Sequence, residues 1–158
     1  MNLTGFESSV KDILVAHAPL LAVLTGGIDE LRDTPVSGNS FQKIVSSKRD
    51  PTQGNIIKPF GMVRGRNIVA TPYNLRDEPT QYTSAEQTVE VWIMDDATSS
   101  KTAMNAATAL VYALLQYRPP TGAFQCELVH YGDLRDYDFS GARAMLLEFL
   151  ITFSISAS

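Results

Sequence analysis

The chain contains one cysteine, Cys126, and two histidines, His17 and His130, and it lacks any long apolar run. A single cysteine cannot close an intramolecular disulfide. Glu148 interrupts the apolar stretch near the C-terminus, so nothing approaches the roughly 20 apolar residues of a membrane-spanning helix. The opening residues, MNLTGFESSVKD, hold no basic patch followed by an apolar core, which argues against a secretory signal. A cationic surplus is missing too: 13 Lys and Arg stand against 17 Asp and Glu, a net charge of −4. Sequence-blind nucleic-acid binding normally draws on such a surplus, so that class loses ground. These absences predict a protein folded in a reducing cytoplasm, away from membranes.

What remains is ordinary globular material. Hydrophobic residues make up 44% and charged residues 19% of 158 positions. That length fits one domain, 1–158, which buries roughly 69% of its unfolded surface without help from a metal. Thr4 and Glu7 have the spacing of a capping box and open a helix whose stripe is Val10, Ile13, Leu14 and His17. Pro19 ends or kinks it, and Gly26-Gly27 closes a short second turn. A strand is expected at 28–32, then a long loop at 34–55 rich in Ser, Gly, Asn and Lys, then a strand at 56–64 containing Pro59. The clearest strand is 84–95, where Val89, Val91 and Ile93 alternate with Glu90, Trp92 and Met94. Asp95, Asp96, Ser99 and Ser100 precede an alanine-rich helix that Pro119-Pro120 stops. Two more strands are expected at 123–131 and 143–156. The order α-β-β-β-α-β-β predicts an α+β fold: a mostly antiparallel sheet of about four to five strands with two helices on one face.

Reactive constellations are scarce. His17 lies on the apolar stripe of the first helix and reads as a locally satisfied histidine. Cys126 and His130 are four apart on one expected strand, hence on one side, but two ligands do not make a zinc site. Ser140, Asp138 and His130 share the composition of a triad without its nucleophile elbow. Asp133, Asp136 and Asp138 lack the spacing and closing Glu of an EF-hand. Gly61 and Gly65 are not followed by the Lys-Ser or Lys-Thr of a phosphate loop. The sequence therefore predicts no catalytic residue, cofactor or metal. Basic residues concentrate between positions 43 and 66, and Lys43, Lys48, Arg49, Arg64 and Arg66 form a candidate partner-facing loop.

The strands carry apolar residues on both faces. Val89, Val91, Ile93, Phe124, Cys126, Leu128, Met145, Leu147, Phe149, Ile151, Phe153 and Ile155 share the face that two helices can cover. Trp92, Met94, Tyr131, Leu146 and Leu150 fall on the other, with too few helices to hide them. An apolar patch left open on a sheet marks a protein contact, and Trp, Tyr and Met are enriched at interface cores. These five residues are the expected subunit interface.

In arrangement the chain resembles the tail terminator (tail completion) proteins of long-tailed bacteriophages. The resemblance runs through the opening helix and its Leu24-Thr-Gly-Gly-Ile28 turn, two strands, the long strand ending in Asp95-Asp96, the alanine-rich helix and the closing hairpin. It carries over no individual functional residue. It implies a non-enzymatic virion protein, assembled in the host cytoplasm, whose homo-oligomeric ring, commonly hexameric, caps the tail tube and ends its polymerisation. Its implied partners are its own copies, the tail tube protein and the head-tail connector or neck proteins, with DNA at most passing through the lumen. A neck adaptor, or a small cytoplasmic ligand-binding or enzymatic α+β domain, is the alternative.

Overall fold

Two 15-residue strands, β6 (Tyr82–Asp96) and β8 (Ala142–Ser156), pair antiparallel along their whole length, from Tyr82 opposite Ser156 to Asp96 opposite Ala142. The computed structural model describes residues 5–31, 39–72, 82–134 and 141–156. In chain order the remaining elements are α1 (Glu7–Val15), α2 (Ala18–Val23), β1 (Ile28–Leu31), α3 (Asn39–Ser47), β2 (Arg49–Asp50), β3 (Ile56–Ile57), β4 (Phe60–Gly65), β5 (Val69–Pro72), α4 (Thr102–Leu115) and β7 (Gln125–Asp133). The main sheet runs β1-β4-β6-β8-β7, with β5 joining β6 beyond the end of β4. It is antiparallel except for β1, which lies parallel to β4. The expected α+β class with a mostly antiparallel sheet is found, with six strands in place of four or five.

One face of the sheet carries α1, α2 and α4. Val10, Leu14, Leu20, Leu24, Met104, Val111 and Leu115 pack there on Val89, Val91, Ile93, Leu147, Phe149 and Ile151. Thr4 lies outside the described residues, and the first helix has Phe6 as its N-cap without a side-chain capping bond. Its start is held instead from the sheet: the Phe6 N–H donates to Gln87 Oε1 at 2.7 Å, and the Phe6 ring meets Phe153 edge-on at 4.9 Å. Pro19 separates α1 from α2 as expected, with His17 becoming the N-cap of the second helix rather than the end of the first helix's stripe. Gly27, at φ +83°, turns the chain into β1 with a backbone that side-chain-bearing residues avoid.

The stretch expected to be a loop, 34–55, is the main correction. Residues 34–38 lie outside the described residues, but 39–57 fold as α3 followed by the β2–β3 hairpin. Ser and Asn are weak helix formers, but burial of Val45 and Ile57 outweighs that modest preference. Pro59 divides the single strand expected at 56–64 into β3 and β4. The α3–β2–β3 unit is the connection between the parallel neighbours β1 and β4, and it lies across the sheet's second face. The structure is thus three-layered, with helices on both sides of the sheet rather than on one.

Asp96 fastens this unit to the sheet. Its Oδ2 accepts the Ile57 N–H at 3.0 Å, and its Oδ1 accepts the Thr98 N–H at 2.9 Å. Burial disfavours the carboxylate's charge, but these bonds outweigh it and hold the group below its ordinary value of 3.8. A depressed folded-state pKa means that its stabilisation is present above the unfolded value and is lost as pH falls through the folded one. Asp96→Ala should cost about 2 kcal/mol in urea unfolding at neutral pH, because the Ile57 N–H is left buried and unpaired. That difference from the unaltered protein should shrink as the pH is lowered below about 4.

Candidate functional site

The second face divides into three bands set by strand register. Even-numbered residues of β4, β6 and β8 point to it, so Phe60 opposes Met94, Met62 opposes Trp92, and Trp92 and Met94 oppose Leu146 and Ala144. This first band is closed within the chain. Val45 of α3 and Ile57 of β3 complete a buried cluster with Phe60, Met62, Trp92, Met94, Ala142, Ala144 and Leu146. Trp92 is 5% exposed and Met94 0%, so neither these two nor Leu146 stands open to a neighbour as the sequence suggested. Their cover is the very segment whose composition suggested a loop.

The second band is a row of charge. Arg64, Glu90 and Glu148 face one another in register across β4, β6 and β8, and His130 of β7 stands opposite Glu148. Directly opposed carboxylates repel, so Glu90 and Glu148 need cations between them. Arg66 supplies one. Its Nε donates to Glu90 Oε1 at 2.9 Å while its Nη2 pairs with Glu148 Oε1. Arg64 Nη1 lies 3.1 Å from Glu90 Oε2, which also accepts the Trp92 indole N–H at 3.1 Å. Glu90 is only 3% exposed, and these combined partners are what make its burial tolerable. The third band, farther along the same strands, has no helix over it among the described residues. It holds Thr88, Leu150 and Glu127 on one rung and Val69, Glu86, Thr152 and Gln125 on the next.

A bulge in β7 relocates two residues singled out from sequence. Leu128 pairs with Phe149, but His130, two residues on, pairs with the adjacent Glu148. The extra residue, Val129, reverses the alternation. Tyr131 therefore moves to the helical face. It is 62% exposed and lines a groove of ≈ 420 Å³ with Tyr112, Ala109 and Leu128. Leu150 keeps its expected face, half-buried. The same bulge separates Cys126 from His130, which fall on opposite faces. Burial pushes the Cys126 thiol up to about 11, where it is a poor nucleophile and ligand. The outer edge of β7 is sealed before the bulge: Leu128 N–H donates to Gln116 Oε1 at 2.6 Å, and Tyr117 N–H donates to the Cys126 carbonyl at 3.1 Å.

The basic set does not act as one loop. Lys48 pairs with Asp29 of β1 at 2.7 Å, donates to the Gly26 carbonyl and sits 5.7 Å from the Phe60 ring centroid. Arg49 donates to the Asn55 carbonyl. Arg64 and Arg66 are engaged by the carboxylate row. Lys43, exposed on α3, is the one of the five with no hydrogen bond or ion pair to another described residue; Arg66 is exposed as well but engaged. Asp136, Asp138 and Ser140 lie outside the described residues, and Asp133 pairs with Lys101 at 2.8 Å. Among the described residues no three His, Cys, Asp or Glu side chains group as a metal site.

Neither a family model nor a curated protein matches the sequence. A solved chain described as belonging to the virion of a native gene transfer agent particle has the same fold, with a TM-score of 0.63 over 94% of both chains at 16% identity.

Trp92→Ala should lower the stability of the isolated subunit by about 3 kcal/mol or more, because it empties the covered band and removes a donor from Glu90. Thermal or urea unfolding of the monomer measures it. Arg66→Ala should cost roughly 1–2 kcal/mol by leaving Glu90 and Glu148 opposed, a loss that added salt diminishes.

Proposed function

We propose that this chain is a structural component of a phage-like virion and, more narrowly, a tail terminator. In this reading copies assemble in the host cytoplasm into a closed ring, commonly of six, that seats on the tail tube, stops its growth and offers a surface to the neck. The observation that carries it is the fold shared over 94% of its length with a chain from a virion, together with the element-by-element arrangement of the sequence. The role is one of shape and contact. It needs no catalytic residue, no cofactor and no metal, and DNA meets the ring only in passage through its lumen.

The fold supports this reading in a second way. A subunit that must join identical neighbours benefits from a rigid frame, and the continuous β6–β8 ladder, packed by α1, α2 and α4 on one face and by α3 over one end of the other, provides one. Repeated head-to-tail contacts either close or run on as filaments, and a terminator has to close. Native mass measurement of the purified protein, alone and with preformed tail tubes, should give one closed multiple of the subunit mass, with the protein visible at tube ends by electron microscopy. Tubes assembled in its presence should stop lengthening. A protein that stays monomeric and leaves tube growth unchanged would discard the terminator role.

A further inference from the structure

Eight large hydrophobic side chains stand exposed among the described residues, and five of them follow one edge of the fold. Tyr112 is on α4, Tyr117 and Phe124 are in the turn that leads from it to β7, and Val129 and Tyr131 are on β7. The bond from the Tyr117 N–H to the Cys126 carbonyl holds the turn beside the strand, and Tyr112 and Tyr131 line one groove. From Phe124 to Tyr131 the strip runs about 23 Å at the rise of a strand. Its four aromatics are between 45% and 75% exposed and present roughly 500 Å². That is over half of the ~800 Å² that each side of a stable protein interface covers. Glu127 and His130 of the same strand turn to the sheet's second face, so neither of these ionisable groups interrupts the strip.

A second apolar surface lies on the other flank of α4. Val23 of α2, Ile56 and Ile57 of β3, Pro59, and Ala103 and Ala106 of α4 line a groove of ≈ 600 Å³. Ile56 is itself among the eight exposed residues, and Leu21, another, lies on α2. Polar groups stand among these walls: Asp50 and Lys58, and Ser100 and Thr102 at the start of α4. Tyrosine has the matching character, an apolar ring with a hydroxyl that needs a hydrogen-bond partner when buried. At roughly 100° per residue, Thr102, Ala103 and Ala106 in this groove lie about 120° around the helix from Asn105, Thr108, Ala109 and Tyr112 in the tyrosine groove.

We infer that the aromatic strip of one copy seats in the α2–β3–α4 groove of the next. The inference rests on the ring reading above and assigns the surfaces that reading leaves open. The strip and the groove lie on two flanks of one helix, so they cannot meet within a subunit. Because they are different surfaces, their contact is head-to-tail, the kind that closes into rings. The rings supply the apolar area, and the tyrosine hydroxyls against the polar groups of the groove fix the register.

Two variants, each spoiling one surface, test it. Tyr117→Asn with Phe124→Ser strips the edge, asparagine being chosen because Tyr117 holds a left-handed φ of +59°. Ala106→Glu, at an exposed position of α4, puts bulk and charge into the groove. Each variant alone should self-associate about tenfold or more weakly than the unaltered protein in light scattering. Mixed one to one, they should form pairs and nothing larger, because only the intact strip of one and the intact groove of the other remain to meet. Circular dichroism checks that each folds; should Ala106→Glu unfold, Ile56→Glu spoils the groove from another wall. If the unaltered protein forms its ring and either variant assembles as well as it does, or the mixture yields no pairs, these surfaces are wrong while the ring stands. Rings that persist in both variants but no longer seat on tail tubes assign the strip to the tube, and overturn the inference too. A monomeric unaltered protein at high concentration, with or without tail tubes, overturns both readings.

Discussion

Everything in this structure depends on one register: β6 against β8 over all 15 rungs. Because side chains alternate, that pairing decides in one step which residues meet the α1–α2–α4 layer and which meet α3. It sets Val89, Val91 and Ile93 beside Phe149, Leu147 and Met145 on one side, and Trp92 beside Leu146 on the other. It also opposes Glu90 to Glu148, a repulsion that would argue against this register were Arg64 and Arg66 not brought in from β4 and its C-terminal end. A one-residue slip would bury carboxylates among the helices without a cation. The charged row therefore acts as a check on the alignment that the apolar residues favour.

Much of the frame was legible. The alternation at 88–95, the alanine-rich helix bounded by Asp95-Asp96 and Pro119-Pro120, and the closing hairpin each carry a local signal as strong as their burial, and each is present in the fold close to its expected place. What escaped were features whose cause is not local. The helix α3 is written in Asn, Ser, Gln and Lys with few apolar positions, and only a waiting apolar band makes it worth forming. The β7 bulge falls at Val129, three residues before the strand's glycine, Gly132, yet it moves Tyr131 to the opposite face.

The candidate site escaped for the same reason. Trp92, Met94 and Leu146 do share one face, but a patch is exposed only if nothing else in the chain covers it. The cover lies in the segment with the least evident structure. The basic residues are grouped by nearness in sequence, whereas in space Lys48 belongs to β1, and Arg64 and Arg66 to the sheet's carboxylates. Uncommitted charges become visible only once those pairings are assigned, since a carboxylate's availability is a property of its neighbours and not of its position.

The sealing of β7 has a consequence for life at high local concentration. Where many copies of a protein share a small volume, an exposed strand edge recruits other strands without selecting among them. Here the Leu128 N–H and the Cys126 carbonyl are already occupied by Gln116 and Tyr117, and the Val129 bulge distorts the strand beyond them. Sheet-to-sheet polymerisation through that stretch is thereby blocked before any partner arrives. The subunit can be crowded without being sticky along its backbone, and assembly is left to side chains, which can be selective where a bare strand edge accepts almost any other strand.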